Sequence, residues 1–93
     1  MVKYVDIKQG AFQIYQGNTL DFIEGILTNI FELKGAVKQL QYVIEGEFTY
    51  KLNIYTNTSH LLDMSKILLN YKRGEKIKIA LVKNGEYANL VSI

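Results

Sequence analysis

From Lys76 to Val82 the chain alternates without a break. Ile77, Ile79 and Leu81 fall on one face, and Lys76 and Lys78 on the other. A period of two is the signature of a half-buried strand. Asn84-Gly85 follows, a pair that tolerates positive φ at both central positions of a type I′ turn. Tyr87 to Ile93 then returns as the last strand, so the chain ends in a β-hairpin.

The same logic places a second hairpin upstream. Val37 to Ile44 and Phe48 to Tyr55 are β-rich runs around Glu45-Gly46-Glu47. Leu40, Tyr42 and Ile44 share the core face of the first run, leaving Gln39 and Gln41 outside. Phe48, Tyr50, Leu52 and Ile54 share one face of the second, with Thr49, Lys51, Asn53 and Tyr55 opposite. Between the hairpins, Leu61, Met64, Ile67, Leu68 and Tyr71 recur every three or four residues and predict a helix over Ser59 to Tyr71. Asn57, Thr58 or Ser59 can cap its start, and Gly74 can end it. Val2 to Ile7 and Ala11 to Tyr15 read as extra extended segments, with residues 1–17 an edge hairpin or a dimer contact.

Residues 19–33 fit two descriptions. Leu20, Ile23, Ile26, Leu27, Ile30 and Phe31 form a helical stripe, with Asn18 as cap and Gly35 as stop. Yet Gly25 costs a helix about 1 kcal/mol, and Ile, Phe and Thr suit strands. In a long strand, Gly25 would mark a bulge. A helix here would make the domain α+β; a strand would make it mostly β.

Composition narrows the function. The chain has 93 residues, 48% of them hydrophobic, which fits a single domain (1–93) with a core of its own. No apolar run approaches the ~20 residues of a membrane span, and the N-terminus shows no signal-peptide pattern, so the expected location is the cytoplasm. There is no cysteine and a single histidine, His60, which argues against thiol catalysis, disulfides and a His/Cys metal site. No Ser-His-Asp set and no G-x-x-x-x-G-K loop is present, and Glu45 and Glu47 read as solubilising turn residues. Catalytic residues, metals and cofactors are therefore not expected. Without proline, glycines must mark the boundaries; Gly25, Gly46, Gly74 and Gly85 read as structural. Net charge is only +2, but Lys72, Arg73, Lys76, Lys78 and Lys83 fall within twelve residues.

The glycine-centred run Ile23-Glu24-Gly25-Ile26-Leu27-Thr28-Asn29-Ile30 resembles the first strand of small OB-fold single-stranded DNA-binding proteins of phages and mobile elements. Tyr50-Lys51-Leu52-Asn53-Ile54 resembles their third strand. Ile67-Leu68-Leu69-Asn70 with Gly74-Glu75-Lys76-Ile77-Lys78-Ile79 resembles their helix end and fourth strand. The likeness covers residues 19–93, with one departure: Gly35-Ala36 is the whole connection between the first two strands. It implies a mostly β fold, a five-stranded OB-type barrel with one helix between strands three and four, and a strand at 19–33. It also implies sequence-tolerant single-stranded DNA binding in replication or recombination.

Such binding needs cations along the phosphates and exposed rings under the bases. Strand parity nominates Gln39, Gln41, Lys51, Asn53, Tyr55, Lys76 and Lys78. Phe31 joins them if a bulge at Gly25 resets the parity, and Tyr87 follows a turn with its direction open. Each residue also has a plain reading. Outward lysines are commonly gatekeepers or solvated side chains, aromatics on small barrels are commonly core, Lys72 and Arg73 suit a helix C-terminus, and His60 suits a first-turn surface position. The expected partners are single-stranded DNA and replication or recombination proteins, with no membrane; a homodimer or higher oligomer stays open. The competing function is a non-catalytic protein-interaction or assembly module, for which a phage origin stays open.

Overall fold

The chain runs β1 (Val2–Lys8), β2 (Ala11–Ile14), β3 (Thr19–Leu20), β4 (Phe22–Leu33), β5 (Gln39–Glu45), β6 (Thr49–Tyr55), α1 (Ser59–Leu69), β7 (Lys76–Asn84) and β8 (Tyr87–Ser92). The computed structural model describes residues 1–57, 59–84 and 87–93, Asn84 and Tyr87 by backbone alone. Among the described residues eight strands, rather than the expected five, form one sheet in the order β3-β2-β1-β6-β5-β4-β7-β8. The three additional strands come from the first twenty residues. Neighbours are antiparallel except β1 and β6, which run parallel from Val2 beside Thr49 to Asp6 beside Asn53. Laid flat, eight strands would span about 34 Å in a single layer. The molecule measures 30 × 27 × 27 Å, so the sheet is rolled into an open, barrel-like curl.

Residues 22–33 are strand, which removes the helical alternative for 19–33. The cause of the ambiguity is visible in the register. Leu27 pairs with Ile44 and Asn29 with Val43, so Thr28 is the extra residue of a bulge. The bulge lies at Thr28, three residues beyond Gly25. It leaves Ile23, Leu27 and Ile30 facing inward, four and three residues apart, which is the spacing of a helix face. Of the other members of the apparent stripe, Ile26 and Phe31 are each 44% exposed, while Leu20, on β3, packs against the core.

Gly25 has a different task. The first half of β4 pairs with β7 and the second half with β5, the two ladders meeting at Ile26. There the β4 and β5 backbones nearly touch. A Cβ on Gly25 would lie 2.5 Å from the Glu45 carbonyl oxygen, and one on Gly46 would strike the Glu24 carbonyl oxygen. Two glycines thus let one long strand serve both halves of the curl.

The inner face forms a single core. Val5, Phe12, Ile23, Leu27, Tyr42, Ile44, Leu52, Ile54, Ile77, Ile79 and Leu90 are buried in it. Val5 and Phe12 bring the N-terminal hairpin into the same core. Helix α1 closes the curl with Met64, Ser65 and Leu68. It ends at Leu69, two residues earlier than its stripe suggested, and Ile67 is exposed. Ser65 takes the inward position because it meets Tyr42. The Tyr42 hydroxyl donates to the Ser65 carbonyl (3.0 Å) and lies 2.7 Å from the Ser65 hydroxyl, which must then supply its own proton. Burial pushes the Tyr42 phenol above its ordinary pKa, and the Ser65 hydrogen bond offsets part of the rise. Tyr50 faces inward half-buried; burial, then the negative charge of Glu47, raises its pKa.

The helix and the β1–β2 turn both reach β8. His60 Nε2 lies 2.6 Å from the Ala88 carbonyl; a carbonyl only accepts, so Nε2 carries the proton. His60 therefore ties the helix to β8 instead of standing free on the surface. A Cβ on Gly10, in the β1–β2 turn, would lie 3.5 Å from Ala88 Cβ. No helix among the described residues is long and apolar enough to cross a membrane. The predicted Asn84-Gly85 turn and a Thr58 cap involve residues outside those described.

Candidate nucleic-acid interface

The outward face of β4, β5 and β6 is organised in rows by the ladder. In one row Asp6 stands beside Asn53, Asn53 beside Gln41, and Gln41 beside Phe31. The next row carries Tyr55, Gln39 and Leu33. On the other side lie Tyr4, Lys51, Val43 and Asn29. Neighbouring strands are about 4.8 Å apart, so the Asn53–Phe31 row spans about 10 Å. Six of the nine nominated residues, Phe31, Gln39, Gln41, Lys51, Asn53 and Tyr55, therefore form one continuous patch.

Phe31 reaches this patch because the bulge at Thr28 shifts its parity, and Thr28 Oγ1 donates to the Val43 carbonyl beside the break. Phe31 and Tyr55 are 44% and 41% exposed, enough to present a ring face. Gln41, only 8% exposed, donates from Nε2 to Asn53 Oδ1 at 3.0 Å. That bond holds both amides rigidly and leaves each with unused hydrogen-bonding capacity. The Lys51 ammonium lies 5.7 Å from the Tyr4 ring centroid, within cation–π range. At the end of the patch the connection between β4 and β5 covers residues 34–38, longer than Gly35-Ala36, because β5 starts at Gln39. It brings Lys34 and Lys38 to the rim, Lys38 lying 3.7 Å from Glu32.

Lys76 and Lys78 stand apart. Lys76 pairs with Ile26 and Lys78 with Glu24 on the other half of β4. The Lys78 ammonium lies 4.5 Å from the Phe22 ring centroid. Both lysines line a cleft of about 290 Å³ with Glu24, Tyr71 and Ile93, where an acid offsets their charge. The side chain of Tyr87 lies outside the described residues.

Sequence reasoning missed Tyr4. Its signal was present: Tyr4, Asp6 and Lys8 occupy the polar parity of the first segment. What could not be read was the parallel pairing of β1 with β6, which carries Tyr4 next to Lys51. Among the described residues no three His, Asp or Glu side chains converge into a metal-binding group. No protein-family model, curated protein or solved structure matches this chain.

Proposed function

We propose that this protein binds single-stranded DNA without sequence preference, across the outer face of β4, β5 and β6, and protects the strand in replication or recombination. The observation that carries the reading is that patch: two half-exposed rings, Phe31 and Tyr55, around a braced pair of amides, with Lys51 at the side. Rings of this kind stack on any base, each stack being worth ~1–3 kcal/mol. Lys51 would meet a phosphate, and the amides' spare donors and acceptors would meet base edges or sugars.

The topology supports an OB-type barrel with an added N-terminal hairpin. β4 pairs with both β5 and β7, and the helix falls between β6 and β7. In that fold the second and third strands carry the oligonucleotide face, and β5 and β6 hold those places. The test is fluorescence anisotropy of a labelled single strand of about 30 nucleotides, long enough for at least one barrel footprint, with duplex as control. Binding confined to the single strand and falling steeply between about 50 and about 300 mM salt is expected, because phosphate contacts release counterions. No binding at low salt, or equal affinity for duplex, sinks the reading.

A second reading, a protein-assembly module, draws on a different surface. Phe22, Ile26 and Val82 are 45%, 44% and 51% exposed on the outer face of β4 and β7, and exposed apolar patches mark contact sites. A stable oligomer on size exclusion that ignores oligonucleotide would favour it.

A further inference from the structure

The N-terminal hairpin carries a second aromatic site, outside the five strands and helix of an OB-type barrel. Its ladder runs one residue past β2. Val5 pairs with Ile14, and the next backbone N–H, that of Tyr15, donates to the Tyr4 carbonyl at 2.8 Å. Tyr4 and Tyr15 are therefore cross-strand neighbours, 47% and 69% exposed. Among the described residues the one ring–ring contact is Phe48 with Tyr50, so neither tyrosine is stacked on another ring.

A cleft of about 220 Å³ lies against both tyrosines, lined also by Val2, Lys3, Gln16 and Gly17, with no acid in its lining. It is smaller than the ~300 Å³ at which sites for drug-sized ligands begin, so it suits one planar ring system. Lys51 stands next to Tyr4 in the parallel ladder, its ammonium 5.7 Å from the Tyr4 ring centroid. That lysine belongs to both surfaces.

We infer that the cleft beside Tyr4 and Tyr15 takes a nucleobase of the same single strand, which runs from the β4–β6 face over Lys51 onto the N-terminal hairpin. The inference rests on the reading above. A base entering the cleft stacks on an exposed tyrosine, while the Lys51 ammonium moves off the Tyr4 ring to the adjoining phosphate. The lining holds no acid to repel a phosphodiester; Lys3 is its one charged side chain, its ammonium 4.6 Å from the Phe48 ring centroid, so the phosphate contact falls to Lys51.

The experiment uses the full chain and the oligonucleotide of the previous test. Tyr15→Ala should weaken binding by roughly 5- to 150-fold, the loss of one stacked base, and Tyr15→Phe should bind like the wild type. In the wild-type protein, the Tyr4 and Tyr15 ring resonances should shift when the strand is added. Tyr15→Ala binding within twofold of wild type, with Phe31→Leu weakened, overturns the cleft and leaves the β4–β6 face standing. Unshifted rings in a bound wild-type protein overturn it as well. A wild-type protein that binds no single strand overturns both readings together.

Discussion

Phe31→Leu separates the ring of Phe31 from its bulk. A buried phenylalanine covers 150–250 Å², and this one is 44% exposed, so about 100 Å² is shielded by the protein. At ~25 cal/mol per Å² that shielding contributes about 2.5 kcal/mol to stability. Leucine keeps most of it, and a shape change of this size costs under about 1.5 kcal/mol. The urea midpoint should therefore move little. Stacking has no such substitute, because leucine has no π face, and the loss of one stack is ~1–3 kcal/mol. The dissociation constant for a single strand should rise roughly 5- to 150-fold, with the salt slope unchanged, because no phosphate contact is touched. The assays are anisotropy across a salt series and urea unfolding on the same preparation. A variant that binds within twofold of wild type removes Phe31 from the interface. A variant that loses binding and stability together shows that the ring holds the sheet rather than the base.

Three more outcomes follow from the same geometry. Lys51→Gln should flatten the dependence of log affinity on log salt by about 0.7, one phosphate contact on a single strand; an unchanged slope places Lys51 off the backbone track. Gly25→Ala places a Cβ 2.5 Å from the Glu45 carbonyl oxygen, where the nearest atoms are all backbone of Glu45 and Gly46. It should cost about 1–3 kcal/mol, seen as a melting temperature lower by roughly 4–8 °C per kcal/mol, and an unchanged melting point would mean that the two strands can part without strain. The third outcome is alkaline loss of stability. Tyr42 and Tyr50 have raised pKa values in the fold. Their contribution is fully present below the unfolded tyrosine pKa of about 10. It is lost as pH rises above that value, because the unfolded chain gives up its protons first. Urea midpoints should hold to about pH 9.5 and fall beyond it, less steeply in Tyr42→Phe; a flat profile to about pH 11 would contradict the burial of the phenol.

The sequence by itself determined the local elements. Alternation in 76–82 and 49–55 requires strands, and in both the residues assigned inward are the ones the core takes: Ile77 and Ile79, Leu52 and Ile54. The three- and four-residue spacing of Leu61, Met64 and Leu68 requires the helix, because these signals depend only on neighbours within a few residues. Residues 19–33 mark where that logic stops. A strand with a bulge at Thr28 presents Ile23, Leu27 and Ile30 at helical spacing, so periodicity alone cannot separate the two forms. Pairing with β5 and β7 decides it, and pairing is a property of residues far apart in the chain. The candidate site divides in the same way. Lys51, Asn53 and Tyr55 share a strand face and could be grouped by parity alone. Phe31 needed the bulge, and Tyr4 needed a parallel ladder between segments nearly fifty residues apart, from Val2 to Thr49. Lys76 and Lys78, equally outward by parity, went elsewhere because β7 pairs with the other half of β4. Side-chain direction is a local consequence of the backbone; which strands lie side by side is decided by how the whole sheet rolls around its core.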